Sequence, residues 1–187
     1  MTLQLLRRKF TVEQFHKMAE SGILNEDDRV ELIRGEIIEM AAIGLKHAAC
    51  VNRLSNFLAW KLGNRVITSV QNPVELDETS EPQPDVVLLK PREDFYASAR
   101  PQPKDVFLII EVADSTIKYD REVKLPLYAE QAVVEVWLVD INEECVEVYR
   151  EPANGVYKNV QKFSRGESLI IQAFGDVNIS FDEILGN

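Results

Sequence analysis

Three apolar runs in this chain begin or end in a carboxylic acid, and that pairing restricts its fold more than any other feature. Val106-Phe107-Leu108-Ile109-Ile110 runs straight into Glu111, residues 134–139 run into Asp140, and Asp85 opens the run Val86-Val87-Leu88-Leu89. Continuous apolar runs of this kind mark strands buried on both faces of a sheet. An acid at the edge of such a strand is either paired with a cation of the fold or placed to hold a metal ion. Between Glu111 and the next strand the sequence predicts a polar turn and a short helix carrying Asp120, Lys124 and Tyr128.

At 187 residues, 45% hydrophobic and 28% charged, the chain reads as one globular domain spanning 1–187. No apolar run approaches the roughly 20 residues that a bilayer span needs. Residues 1–10 are basic but lack an apolar segment after the charges, so they are not read as a signal peptide, and the expected location is cytoplasmic. Cys50 and Cys145 fall in different predicted elements and are expected to be buried free thiols. With two cysteines and two histidines there is no zinc site to propose. The net charge of −10 counts against avid, non-specific DNA binding, which normally draws on Lys/Arg contacts to phosphate. It leaves room for an enzyme whose acids hold metal ions.

Along the chain, Thr11 and Gln14 form a capping box for a first helix that Gly22 ends. His16 on that helix is read as exposed or capping. Residues 30–33 and 36–40 alternate around Arg34-Gly35, a β-hairpin pattern, with Glu31 and Glu36 read as solvent-facing. Residues 46–62 carry a helical stripe of Val51, Leu54, Phe57, Leu58 and Leu62, with His47 in the first turn. Strands are expected at 65–70, 74–76 and 85–89, with Pro82 and Pro84 stiffening the approach to Asp85. The proline-rich stretch 91–103 is a surface connection or a substrate-flanking flap. The last third reads as a β meander over 145–150, 156–163, 169–171 and 177–181.

Asp85 and Glu111 belong to strands separated by one loop, so adjacent placement would bring their carboxylates together. Mg²⁺ is commonly held by one or two carboxylates plus water and substrate oxygens, so two acids suffice. Lys124 would then supply positive charge near the attacking water or the scissile phosphate. Asp120, Lys124 and Tyr128 follow at helical spacing on one face, and Asp120 with Lys124 is equally an ordinary i,i+4 ion pair. Pro126 either starts the helix near Lys124 or kinks it.

The ordered segments Glu81-Pro82-Gln83-Pro84-Asp85, Ile110-Glu111-Val112-Ala113-Asp114-Ser115-Thr116, residues 119–130 and Glu135-Val136-Trp137-Leu138-Val139-Asp140 resemble the Uma2 family, also known as DUF820. This is a group described as endonucleases and abundant in cyanobacteria. The hairpin and the His47 helix extend the resemblance over nearly the whole chain. It implies the PD-(D/E)XK nuclease superfamily: an α/β, restriction-endonuclease-like mixed central sheet flanked by helices, with an N-terminal helix and hairpin and a C-terminal β meander. It implies hydrolysis of DNA with Mg²⁺ or Mn²⁺. Asp85 matches the aspartate of the PD element and Glu111 the acid of the (D/E)XK element, while the superfamily lysine position is Ala113. The basic role passes to Lys124 on the following helix. The implied metal ligands are Asp85, Glu111 and the Val112 carbonyl, and His47, Asp120 and Tyr128 are candidate supporting residues. Two alternatives stay open: a non-catalytic nucleic-acid- or protein-binding module on the same fold, and an acidic homodimeric interaction protein.

Overall fold

A computed structural model describes residues 7–25 and 27–186; of the basic N-terminal segment, residues 1–6 lie outside the described residues. Helix α1 (Val12–Glu20) carries the expected capping box, with Gln14 N–H donating to Thr11 Oγ1 at 3.2 Å. Strands β1 (Val30–Ile33) and β2 (Glu36–Glu39) form the predicted hairpin. Its turn has positive φ at both Arg34 (50°) and Gly35 (76°), as a right-twisted two-residue hairpin demands. Gly35 is required a second time, because a Cβ there would lie 2.8 Å from Lys9 Cβ and 3.0 Å from the Phe10 carbonyl oxygen.

Helix α2 (Leu45–Leu62) is followed by β3 (Ile67–Val70), β4 (Val86–Leu89), β5 (Val106–Ala113), β6 (Glu135–Asp140), β7 (Cys145–Ala153) and β8 (Val156–Phe163). These six strands make one mixed sheet in sequential order, parallel only between β5 and β6. Burial on both faces explains why β4, and β5 up to Glu111, are continuously apolar. Val86, Leu88, Leu108, Ile110 and Val112 face α2, while Val87, Leu89, Ile109 and Ala113 face the opposite core with Leu127 and Tyr128. Glu111 alternates with Ile110 and Val112 and so projects toward the second core.

The parallel β5–β6 connection is helical but uneven. A short α3 (Ile117–Tyr119) passes through a π turn at Asp120–Lys124 into α4 (Leu125–Glu130). In the wide turn Leu125 N–H bonds the Asp120 carbonyl, five residues back. Pro126 supplies the reason: it has no N–H for the Glu122 carbonyl, and its ring would collide with that group in a regular turn. The chain therefore both widens before the proline and starts a new helix at it.

Residues 74–76 are not a strand. They run extended, tied by Val74 N–H to the Pro82 carbonyl and Leu76 N–H to the Ser80 carbonyl. The C-terminal meander divides: β7 and β8 extend the central sheet, whereas β9 (Ser168–Ile170) and β10 (Asn178–Ser180) pair separately. A final helix, α5 (Phe181–Leu185), which the sequence pattern did not predict, packs against α2. His16 is not a capping group; it is half-buried and bonds Glu81 at 2.9 Å. Cys50 and Cys145 are both free and buried. Among the described residues, no helix is long and apolar enough to cross a membrane.

Glu135, fully buried at the start of β6, ties the small β9–β10 sheet to the large one. It accepts from Arg150 Nη2 at 2.6 Å, Trp137 Nε1 at 2.9 Å and Gln172 N–H at 2.7 Å. Removing one partner of a buried charge pair strands the other, so Glu135→Ala is expected to lower unfolding free energy by about 3–5 kcal/mol in urea denaturation. A loss below about 1 kcal/mol would show the clamp to be dispensable.

Candidate active site

Strand register brings the two predicted acids together. Val86 pairs with Ile110 and Val70 with Val86, so one step further Gln71, Asp85 and Glu111 stand side by side across β3, β4 and β5. Residues directly opposite in an antiparallel pair share a face. Asp85 Oδ2 accepts from Val112 N–H at 2.9 Å and His47 Nε2 at 3.0 Å, and Oδ1 accepts from Gln71 Nε2 at 3.1 Å. Gln71 reaches Asp85 from a left-handed conformation, φ 50°.

Glu111 is 3% exposed. Lys124 Nζ donates to its Oε1 at 3.1 Å and the Tyr128 hydroxyl donates to the same oxygen at 2.5 Å. The expected i,i+4 contact between Asp120 and Lys124 is not among the ion pairs of the described residues. Lys124 instead bridges Glu111 and Glu31, 3.3 Å away. Lys124 ends the π turn, and its side chain is buried between those two carboxylates. Asp120 is bonded by Thr116 Oγ1 at 2.7 Å.

Glu31 is not the solvent-facing strand residue that its alternating neighbours predict. It is 2% exposed, and takes bonds from Tyr119 OH at 3.0 Å and Gln83 N–H at 3.1 Å. Three consecutive residues of β1, Glu31 to Ile33, are buried, because the hairpin is covered on both sides. Leu32 bridges Glu81 on one of them. The adjacent apolar pair Leu32-Ile33 was the one local sign of this. Glu31, Gln71, Gln83, Thr116 and Tyr119 are all site residues that the sequence pattern did not single out.

All of these groups except Tyr128, which lies behind Glu111, line one cleft of about 240 Å³, together with Asp114 and the 40–44 segment. None of residues 91–103 borders it, so that stretch is a surface connection. Asp140 is elsewhere, accepting from Asn142 and Glu143 N–H groups in a turn.

The cleft is short of positive charge. Burial, opposed by Lys124 and reinforced by Asp120 and Asp85, raises the Glu111 carboxyl to about 8. Burial also raises Asp120. At Lys124 burial acts to discharge the ammonium, but Glu111, Glu31 and Asp120 outweigh it and raise its pKa. At Asp85 burial favours the neutral acid, yet the His47 bond and charge, the Val112 N–H and Gln71 hold it below the usual range. His47 is raised in turn by its bond to Asp85.

Among the described residues, no group of three or more His, Cys, Asp and Glu side chains is placed to hold a metal ion. The donor set instead fits a hard cation that keeps its waters. Asp85 and Glu111 lie opposite each other, and both bonds to Glu111 fall on Oε1. The Val112 N–H points at Asp85, and a residue's N–H and C=O face the same neighbouring strand in an antiparallel pair, so the Val112 carbonyl is turned to that side too.

Residues 12–182 match the Uma2 family, described as "Putative restriction endonuclease". None of the curated proteins matches the chain. A crystal structure of a "putative nuclease belonging to DUF820" from Anabaena variabilis superposes with a TM-score of 0.72 at 18% identity. The superposition covers 94% of this chain and 97% of that one, and establishes the shared fold.

Glu111 ionises near 4.5 when unfolded and near 8 when folded. Between those values the folded state holds the extra proton, so stability falls as pH rises; outside them Glu111 adds no slope. In chelator, the urea midpoint is expected to decline from about pH 5 to about pH 8, and Glu111→Gln to flatten the decline. The residual slope belongs to His47 and Asp120, whose raised pKa values give stability that is also lost as pH rises. An undiminished slope in the variant would contradict the Glu111 assignment.

Proposed function

The chain belongs to the Uma2 family, and we propose that it is a divalent-metal-dependent endonuclease hydrolysing phosphodiester bonds in DNA, acting through a single site in a single domain. The observation that carries this reading is the opposition of Asp85 and Glu111 in one cleft, with the buried Lys124 ammonium on Glu111. Asp85, Glu111 and the Val112 carbonyl would hold Mg²⁺ or Mn²⁺. Bound there, such a cation would polarise the phosphodiester and lower the pKa of an attacking water.

The chain's own groups set the rest. His47, Gln71 and the Val112 N–H fix the Asp85 carboxylate in orientation, leaving little rotameric freedom to lose when a ligand arrives. The Tyr128 hydroxyl anchors Glu111 from the core side. Lys124 stands at the start of α4 and provides a fixed positive charge where negative charge grows on the phosphate oxygens. A charge in a dry, preset position acts without solvent reorganisation, which is why burial of Lys124 suits this role.

The acidity of the protein agrees with metal dependence. With Glu31, Glu111, Asp85, Asp114 and Asp120 lining the cleft, a polyanion meets repulsion until a cation offsets part of that charge.

The test is cleavage of supercoiled plasmid with Mg²⁺ or Mn²⁺ by wild type, Asp85→Ala, Glu111→Ala and Lys124→Ala. Wild type is expected to nick the plasmid, chelator to stop it, and each variant to lose about 100-fold or more in rate. Equal cleavage by all four proteins would assign the activity to a contaminant.

A further inference from the structure

We propose that Glu31 is a positioning residue for Lys124, keeping that ammonium in place when a divalent cation takes Glu111. The inference rests on the metal-dependent reading of Asp85 and Glu111 and assigns Glu31 no bond to the cation itself.

Lys124 Nζ lies between two carboxylates that come from different parts of the fold, Glu111 Oε1 at 3.1 Å on β5 and Glu31 Oε2 at 3.3 Å on β1. One carboxylate is enough to balance one ammonium. Burying a second acid costs free energy that its bonds must offset, and Glu31 is 2% exposed on a hairpin outside the central sheet. Its remaining donors are a backbone N–H, from Gln83, and the Tyr119 hydroxyl. Neither carries charge, so the charge of Glu31 serves Lys124.

The two carboxylates then have different tasks. Glu111 stands beside Asp85 in the cleft and is the one a cation would draw on. A cation on Glu111 competes with Lys124 for that carboxyl and repels the ammonium. With Glu31 behind it, Lys124 keeps a full partner and stays at the cleft wall. Without that charge, the cation would have to leave a buried ammonium uncompensated, and binding would weaken. Asp120, which also raises Lys124, accepts from Thr116 rather than from the ammonium and does not replace Glu31.

The experiment is calorimetric titration of Mg²⁺ into wild type, Glu31→Gln, Lys124→Met and the double variant. Glu31→Gln is expected to weaken Mg²⁺ binding on the order of 10- to 100-fold in the wild-type background. In the Lys124→Met background the same change is expected to cost less than about threefold, because the group it positions is gone. Equal losses in both backgrounds would make Glu31 a direct ligand, and no loss in the first would make it a purely structural acid; either result overturns the proposal. A wild type that takes up no Mg²⁺ overturns the metal-dependent reading and this inference with it, whereas unaltered binding by Glu31→Gln sinks this inference alone. Should Glu31→Gln not fold, the double variant is expected to fold again, its undercompensated ammonium removed. A double variant that melts below Glu31→Gln would contradict the proposal.

Discussion

Burying an ammonium costs several kcal/mol unless neighbouring charge compensates it, and Lys124 is only 5% exposed. Its position follows from a chain of constraints that begins at Pro126. The proline denies Glu122 its helical partner, the turn ahead of it widens, and Lys124 at the end of that turn is buried against the sheet. There it meets Glu111, which strand alternation has put on the same side. Hairpin β1–β2 closes over the pair and adds Glu31. The site is thus the meeting place of three separately determined elements, and the lysine is the group that all three contact.

The fold was legible to the extent that it depends on period and punctuation. Strands β4, β5 and β6 announced themselves as apolar runs, α2 as a stripe, and the hairpin by Arg34-Gly35. Asp85 and Glu111 were legible for a related reason: an acid at the edge of a doubly buried strand must meet a cation of some kind, either a side chain or a metal ion. Glu31 was not legible. Its neighbours alternate like those of a surface strand, and its burial comes from Tyr119, Gln83 and Lys124, which lie 88, 52 and 93 positions away along the chain. Tyr119 was not legible either, because its partner is Glu31, far away along the chain. The 74–76 segment has strand composition, yet its partner groups are carbonyls of a proline-rich loop, so no ladder forms.

A chain of net charge −10 fits poorly with a phosphate substrate until the acids are located. Several of them converge on the cleft, where they form a sink for positive charge. Burial raises the Glu111 carboxyl, and the surrounding carboxylates raise Lys124, so both groups hold their protons in the cleft. Metal uptake at Glu111, as proposed, would be linked to proton release, since a carboxyl that ligates a cation must give up its proton. The nearer the pH is to the Glu111 value, the less that exchange costs.

The central claim is that Asp85 and Glu111 form one cation site. Anomalous diffraction from crystals soaked in Mn²⁺ tests it most directly. One strong peak is expected touching both carboxylates on the side that the Val112 carbonyl faces, with Lys124 still against Glu31. No peak at saturating Mn²⁺, or a peak confined to Asp140 outside the cleft, would contradict it.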